Sequence, residues 1–218
     1  MGVFKDENDL KDYLKKKIEC MPYYKNVWKD INLASRKFYS QGRKSFTKDP
    51  SEYLFPLAQP EIDLIVRDAD SKLLAIQVKY LKFETNHIFP TRPKPTYYEG
   101  IGQTLATLNF GFDCVSLWHC FDFEDGRGSL ADIHRYADAT HELISVLNLP
   151  INYFALWISK REDIFYISSS WYENRSDFKL LPGLPSLYGK KNPLQSIPQV
   201  KKMNEFLRKT LDIPLAKN

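Results

Sequence analysis

The sequence predicts a mixed α/β fold, with a central mixed sheet flanked by helices. Three observations lead there. Two runs, Glu61–Arg67 (EIDLIVR) and Leu73–Tyr80 (LLAIQVKY), alternate apolar and polar residues on either side of a polar Asp68–Lys72 turn, the pattern of a β-hairpin. Apolar residues at helical spacing mark separate segments before and after it. The order of elements is then helix, three strands, helix, strand, helix and further strands, which stacks as layers of helix on sheet.

Residues 6–19 place Leu10, Tyr13, Leu14 and Ile18 on one helical face, and Pro22 stands beyond the end. Val27 to Leu33 suits a first strand, while 34–59 is polar and without a period. The hairpin follows. A proline-broken loop from Lys82 to Pro95 leads to a helix over Thr96–Asn109. A strand is expected at Cys114–Phe121, a helix near Leu130–Leu147, and strands at Tyr153–Ser159 and Asp163–Ser168. After Trp171 the chain changes character. Pro182, Pro185, Pro193 and Pro198 punctuate it, and an amphipathic helix is expected at Val200–Leu211. The expected organisation is one domain over 1–173 and a proline-rich C-terminal extension over 174–218.

Composition excludes several classes. Of 218 residues, 43% are hydrophobic and 27% charged, as in a soluble globular protein. The 3 cysteines, Cys20, Cys114 and Cys120, cannot pair evenly and show no CxxC spacing, against a disulfide scaffold or a cysteine-rich metal site. No uncharged run approaches the ~20 apolar residues of a membrane span, and the N-terminus lacks a signal-peptide pattern. A cytoplasmic location is expected, the host cytoplasm if the source is viral. No P-loop, GxSxG or dinucleotide glycine fingerprint occurs. His119 and Cys120 are adjacent in a strand and so point oppositely, which suits core positions better than a shared metal. His134 and His141 are expected on the surface of a helix.

The net charge of +4 is mild, but its distribution is uneven. Arg36, Lys37, Arg43, Lys44 and Lys48 crowd one segment, and Lys79, Lys82, Arg92 and Lys94 another. Alternation sorts the hairpin into an apolar face, Ile62, Leu64, Val66, Leu74, Ile76 and Val78, and an opposite face with Glu61, Asp63, Gln77 and Lys79. A carboxylate, an amide oxygen and an ammonium on adjacent strands are costly to bury without partners. A hard divalent cation suits the oxygens, and a phosphodiester suits the cation and lysine together.

The run PEIDLIV, a turn, then LLAIQVK resembles the core signature of the PD-(D/E)XK nuclease superfamily, including Holliday-junction-resolvase-like small archaeal or viral members. Asp63 matches the first acid, Gln77 the second position and Lys79 the lysine. The resemblance is close over 60–80 and extends in element order over 5–120. It implies a restriction-endonuclease-like fold and metal-dependent hydrolysis of DNA phosphodiester bonds, with selectivity for junctions or flaps among the preferences such members show. It implies Mg²⁺ or Mn²⁺ held by Asp63, Gln77 and the Val78 carbonyl, with Glu7 as a further acid from the first helix. It also implies a homodimer. Gln77 departs from the usual glutamate and removes one negative charge from the metal site.

Glu7 stands near the Leu10/Leu14 direction of the helix, and Asp9 swings away. Acids in a first turn also complement the helix dipole, so Glu7 has a purely structural explanation as well. Gln103 opens the next helix, a place where superfamily members often aim a glutamine or lysine at the metal or DNA. Gly100 and Gly102 beside it suit close helix-on-sheet packing. Expected nucleic-acid contacts are Gln103, Tyr98, Lys82, Arg92, Lys94, Arg43 and Lys44. Backbone phosphates would meet the lysines and arginines, and Tyr98 would stack on an unpaired base. Two other readings stay open: a catalytically inactive nuclease-like protein that only binds nucleic acid, and a structural or assembly protein whose polar sheet face meets a partner chain.

Overall fold

The computed structural model describes residues 4–32, 61–83, 98, 100–123, 130–158, 164–167, 180–182, 184, 187 and 189–211. The segments 33–60 and 84–97 lie outside them.

Helix α1 (Glu7–Glu19) is capped by Asp6, whose carboxylate accepts from the Asn8 and Asp9 amides at 2.9 and 3.0 Å. Strands β1 (Tyr24–Asn32), β2 (Glu61–Asp68) and β3 (Leu73–Phe83) form an antiparallel meander. The β2–β3 turn falls at the polar segment the sequence marks. Asp68 holds it by accepting from the Lys72 amide at 2.8 Å. Helix α2 (Ile101–Thr107) then returns the chain to β4 (Cys114–Phe123), parallel to β3. Helix α3 (Leu130–Val146) leads to β5 (Asn152–Ile158), parallel to β4, and β6 (Ile164–Ile167) and β7 (Leu180–Pro182) follow antiparallel. The seven strands lie in sequence order in one mixed sheet. Helix α4 (Pro198–Thr210) closes the described chain. Of the helix expected over 96–109, the described part is α-helical over Ile101–Thr107 and continues as a 3-10 turn over Leu108–Phe110, while 96, 97 and 99 lie outside the described residues. Strand β7 was not foreseen, because three residues ending in a proline carry no period.

Two cores sandwich the sheet. One packs Leu10, Leu14 and Ile18 of α1 on Leu64, Val66, Leu74, Ile76, Val78, Trp118 and Cys120. The other packs Ile101, Ile144, Met203 and Leu207 from α2, α3 and α4 on Ile62, Ile65, Leu73, Ala75, Val115 and Leu117. The second face of the hairpin is therefore mostly apolar, a correction to the polar face that alternation suggests. Burying a leucine-sized side chain on either face contributes about 2 kcal/mol, so both layers are needed.

Alternation also fails at one rung, with a structural consequence. Ile62 packs on the α2 side, with Ile65, not on the α1 side with Leu64 and Val66. On the paired strand, Val27 faces α1 while Trp28 and Ile31 pack on the other side. Strict period-2 alternation cannot put 62 and 65, or 28 and 31, on one face. Each strand thus carries an irregularity between them, at Asp63 on β2 and at Asp30 on β1. The two residues are opposite each other, between the rungs Lys29–Leu64 and Ile31–Ile62. Asp30 adopts φ 53°, a left-handed backbone for a non-glycine residue. Both acids consequently face α1.

The C-terminal segment is latched to the sheet. Arg208, buried, donates to the Ser71 carbonyl at 2.6 Å, to Asn204 Oδ1 at 2.6 Å and to Asp113 Oδ2 at 3.2 Å. Asp113 also accepts from the Leu73 amide at 2.7 Å and from Gln195 at 2.8 Å. Gly111, at φ 76°, leaves no room for a Cβ, which would stand 2.6 Å from the Val200 carbonyl oxygen. We predict that Arg208→Ala leaves Asp113 without its cation and costs ~3 kcal/mol, lowering the thermal midpoint by roughly 10 °C. Differential scanning calorimetry checks this; an unchanged midpoint would show that the latch contributes nothing.

Candidate functional site

The irregular rung gathers the charges. Lys11, on α1 and only 5% exposed, places Nζ 2.5 Å from Asp30 Oδ1 and 3.2 Å from Asp63 Oδ1. The other Asp63 oxygen accepts from the Val78 amide at 2.7 Å. The described β2–β3 rungs run only to Leu64–Ile76, and toward the open end the Asp63 side chain bridges the two strands. Gln77 does likewise: its amide nitrogen donates to the Glu61 carbonyl at 2.7 Å, and it is buried. Side chains of the two motif residues thus span the hairpin where it opens.

Glu7 is half-buried on the inward side of the first turn, where the helical wheel puts it, and accepts from the Tyr80 amide at 3.3 Å. Desolvation pushes its carboxyl above the usual glutamate value; Lys79 opposes the shift, Asp63 adds to it, and the Tyr80 amide and Lys11 oppose it more weakly. Burial pulls the Lys11 ammonium down, but Asp30 and Asp63 together more than offset this and leave it above the usual lysine value. Burial pushes the nearby Cys120 thiol well up, helped by Glu7 and Asp63, so it stays protonated.

Lys79 is half-buried on the face opposite Val78, under the start of α2. Gly100, at φ 89°, caps that helix, and a Cβ there would stand 2.7 Å from Leu117 Cδ1 and 3.1 Å from Lys79 Cε. The glycine therefore lets α2 close over the lysine, as close packing requires. Gly102 has open space instead, so only one of the two glycines serves a close approach. Beyond Lys79, Tyr80 donates its hydroxyl proton to the buried Asp122 carboxylate, and the same hydroxyl lies 3.1 Å from the Phe4 carbonyl oxygen.

Of the residues the sequence singles out, Glu7 and Asp63 lie on the α1 side, and Lys79 acts on Glu7 electrostatically from the opposite face. The single face expected for Asp63, Gln77 and Lys79 is therefore corrected: Asp63 is turned to Lys11 and bonded to the Val78 amide, and Gln77 is bonded to the Glu61 carbonyl. Gln103 is exposed on α2, and Tyr98 is half-exposed ahead of it. Lys82 lies on β3, paired with Asp122 of β4. Arg92, Lys94, Arg43 and Lys44 fall outside the described residues, as do Arg36, Lys37 and Lys48. His119 and Cys120 do face oppositely: Cys120 joins the α1 core, and His119 Nδ1 lies 3.1 Å from the Tyr153 hydroxyl. His141 is not a surface group; it is half-buried and stacks on Tyr153 at 6.5 Å between ring centres.

Two members of the cluster escaped the sequence reading, Lys11 and Asp30. Lys11 was legible: it stands four residues after Glu7, between Leu10 and Leu14, inside the apolar stripe. Asp30 was not, because its inward aim depends on a backbone irregularity.

The donors are hard oxygens, of the kind Mg²⁺ or Mn²⁺ takes. In number they are few: among the described residues no three His, Cys, Asp or Glu side chains converge to hold a metal ion. Fold and cluster together define a mixed α/β protein with a buried carboxylate–ammonium site at the open end of a hairpin. Neither the known protein-family models nor the curated proteins contain a match to the chain. Among solved structures, SfsA of Pyrococcus furiosus, in complex with Ca²⁺, is similar at 10% identity and a TM-score of 0.27, over 51% of this chain and 49% of that one. The chain thus spans about half the length of SfsA, and a likeness this slight bears on neither function nor site. No helix among the described residues is long and apolar enough to cross a membrane.

Because Glu7 titrates above its ordinary value of 4.5, its charged form is disfavoured by folding. Its contribution is fully present below the unfolded value and lost as pH rises through the folded one. Glu7→Gln is therefore predicted to raise the thermal midpoint at pH 7, with the gain fading toward pH 4. Thermal melts across pH check this; a midpoint lowered at pH 7 would contradict the assignment.

Proposed function

We propose that the chain is a metal-dependent phosphodiesterase of the PD-(D/E)XK kind acting on DNA. The observation that carries the reading is the clustering of Glu7, Asp63 and Lys79, three positions matched by the sequence resemblance, at one end of the sheet. The element order of helix, antiparallel three-strand meander, helix and parallel strand supports it over the range the resemblance covers.

Asp63 and Glu7 would hold the ion, with the Gln77 side-chain oxygen and the Val78 carbonyl as further donors. When bound, a divalent cation draws charge from a non-bridging phosphate oxygen and lowers the pKa of water. Lys79 orients the attacking water and offsets the charge that builds on the phosphorus oxygens. Glu7 would orient a metal-bound water or complete a second ion site. The Gly100 start of α2 keeps Lys79 in place, and exposed Gln103 and Tyr98 offer contacts to the polynucleotide. Lys82, Arg92, Lys94, Arg43 and Lys44 would supply the sequence-independent, salt-sensitive part of binding.

A second reading, nucleic-acid binding without cleavage, draws on a specific observation. Both Asp63 oxygens are already engaged, and the Gln77 amide is tied to a main-chain carbonyl. Incubation of labelled duplex, single-stranded, flap and four-way-junction DNA with Mn²⁺, set against binding in chelator, separates the two. The nuclease reading predicts metal-dependent cutting that falls at least ~100-fold in Asp63→Asn and in Lys79→Ala. Retained binding with no cutting by the unmodified chain under any condition would favour the second reading.

Gln77→Glu sharpens the picture of that residue. A carboxylate cannot donate to the Glu61 carbonyl, so this substitution adds a ligand charge while removing a strand-bridging hydrogen bond worth about 1 kcal/mol. We predict tighter Mn²⁺ binding together with a lower thermal midpoint, measured by calorimetry. Tighter binding without any loss of stability would show that the Gln77–Glu61 bond is not made in solution.

A further inference from the structure

Helix α4 turns Val200, Met203, Leu207 and Arg208 into the protein. Lys201, Lys202, Glu205 and Lys209 are exposed and fall within an arc of about 100° on the other side of the helix. Two more exposed lysines, Lys190 and Lys191, precede it. Both stretches hang on one turn, residues 108–113. The Asn192 side chain donates to the Leu108 and Phe112 carbonyls at 2.8 and 2.9 Å. Asn204 donates to the Gly111 carbonyl, and Gly111 itself abuts the Val200 carbonyl. One anchored segment therefore carries five ammonium groups at the closed end of the hairpin, where the Asp113 amide donates to the Leu73 carbonyl.

Their charge is not offset. Elsewhere surface lysines have acid partners: Lys15 reaches Glu19 at 2.9 Å, and Lys29 reaches Asp12 at 2.7 Å. None of the five pairs with a carboxylate among the described residues, although Glu205 stands four residues from both Lys201 and Lys209, the spacing at which a helical pair forms. Asp113, at the turn itself, is taken by Arg208. Lys190 gives its ammonium to the neutral Leu149 carbonyl, at 3.0 Å.

From this placement we propose that residues 190–209 form a docking face for the phosphate backbone of a nucleic acid, at the end of the sheet away from the Lys11–Asp63 pair. A polyanion with regularly spaced charge complements a row of unpaired ammonium groups held at fixed positions. The Arg208 latch holds the helix that carries the row, so docking orders little backbone. A lipid surface fits less well. A helix lying on a membrane gives its apolar side to the acyl chains, whereas α4 has Met203 and Leu207 buried in the core against the sheet. The face needs neither a metal nor a cleavage step, so it stands apart from the nuclease reading.

Fluorescence anisotropy of a short labelled DNA duplex, titrated with the full chain in chelator over a range of salt, tests the face. Lys201→Gln, Lys202→Gln and Lys209→Gln together should weaken binding at least ~10-fold at low salt. They should also lower the slope of log affinity against log salt by roughly 2 to 3, near 0.9 for each lost phosphate contact. A companion variant, Lys5→Gln, Lys16→Gln and Lys17→Gln, removes the same net charge from exposed positions at α1 and should bind within about twofold of the unmodified chain. All six positions are exposed, and thermal melts verify that both variants fold. Equal losses in the two variants overturn the proposal, because net charge alone would then explain binding. An unchanged affinity and slope in the α4 variant overturns it too. So does an unmodified chain that leaves the duplex unbound, whether or not it binds phosphatidylserine vesicles instead.

Discussion

The site depends on one constraint: the Lys11 ammonium must be compensated where α1 crosses the sheet. A lysine inside an apolar helical stripe is tolerated only with carboxylate partners, because an isolated buried charge costs several kcal/mol. Two strands supply those partners at the same rung, and both leave regular alternation to do so. The position of α1, the opening of the β2–β3 hairpin and the inward aim of Glu7 all meet at that pair.

From there the layers divide the work. The α1 side carries Glu7, Lys11, Asp30 and Asp63, while Lys79 reaches the cluster from the α2 side, held beneath Gly100. Parallel strands β3, β4 and β5 form the rigid middle, with Trp118 and Phe121 fully buried. The Arg208–Asp113 latch ties α4 to the turn that ends β2 and begins β3, so the C-terminal helix braces the hairpin from its closed end. The Lys11–Asp63–Asp30 cluster sits at the opposite, open end, where side-chain hydrogen bonds take over from the ladder.

Much of this was legible in the sequence. Strong period-2 runs gave the hairpin, and the 3.6-residue stripe with Pro22 beyond it gave α1, because burial on one face imposes those periods directly. Glu7, Asp63 and Lys79 were singled out by position and residue type, but alternation put Asp63 on the face of Lys79, whereas the structure turns it toward Lys11 of α1 and leaves Lys79 beneath Gly100 on the other face. What escaped depends on departures from period. Alternation assigned Ile62 to the wrong face because the irregularity at Asp63 shifts it, and Asp30 carried no signal along the strand for the same reason. The polar sheet face was overdrawn, since Ala75 and Leu117 make most of it apolar and leave only its end charged. His141 was misplaced because a half-buried aromatic stack leaves no pattern along one helix.

The most direct measurement of the central claim is a double-mutant cycle on unfolding free energy, using Lys11→Met, Asp63→Leu and the pair together. A compensated buried charge predicts that each single change is strongly destabilising, by roughly 3 kcal/mol, and that the double change costs less than their sum by about 2 kcal/mol. Additivity within ~0.5 kcal/mol would contradict it, for then the ammonium and the carboxylate would not be partners.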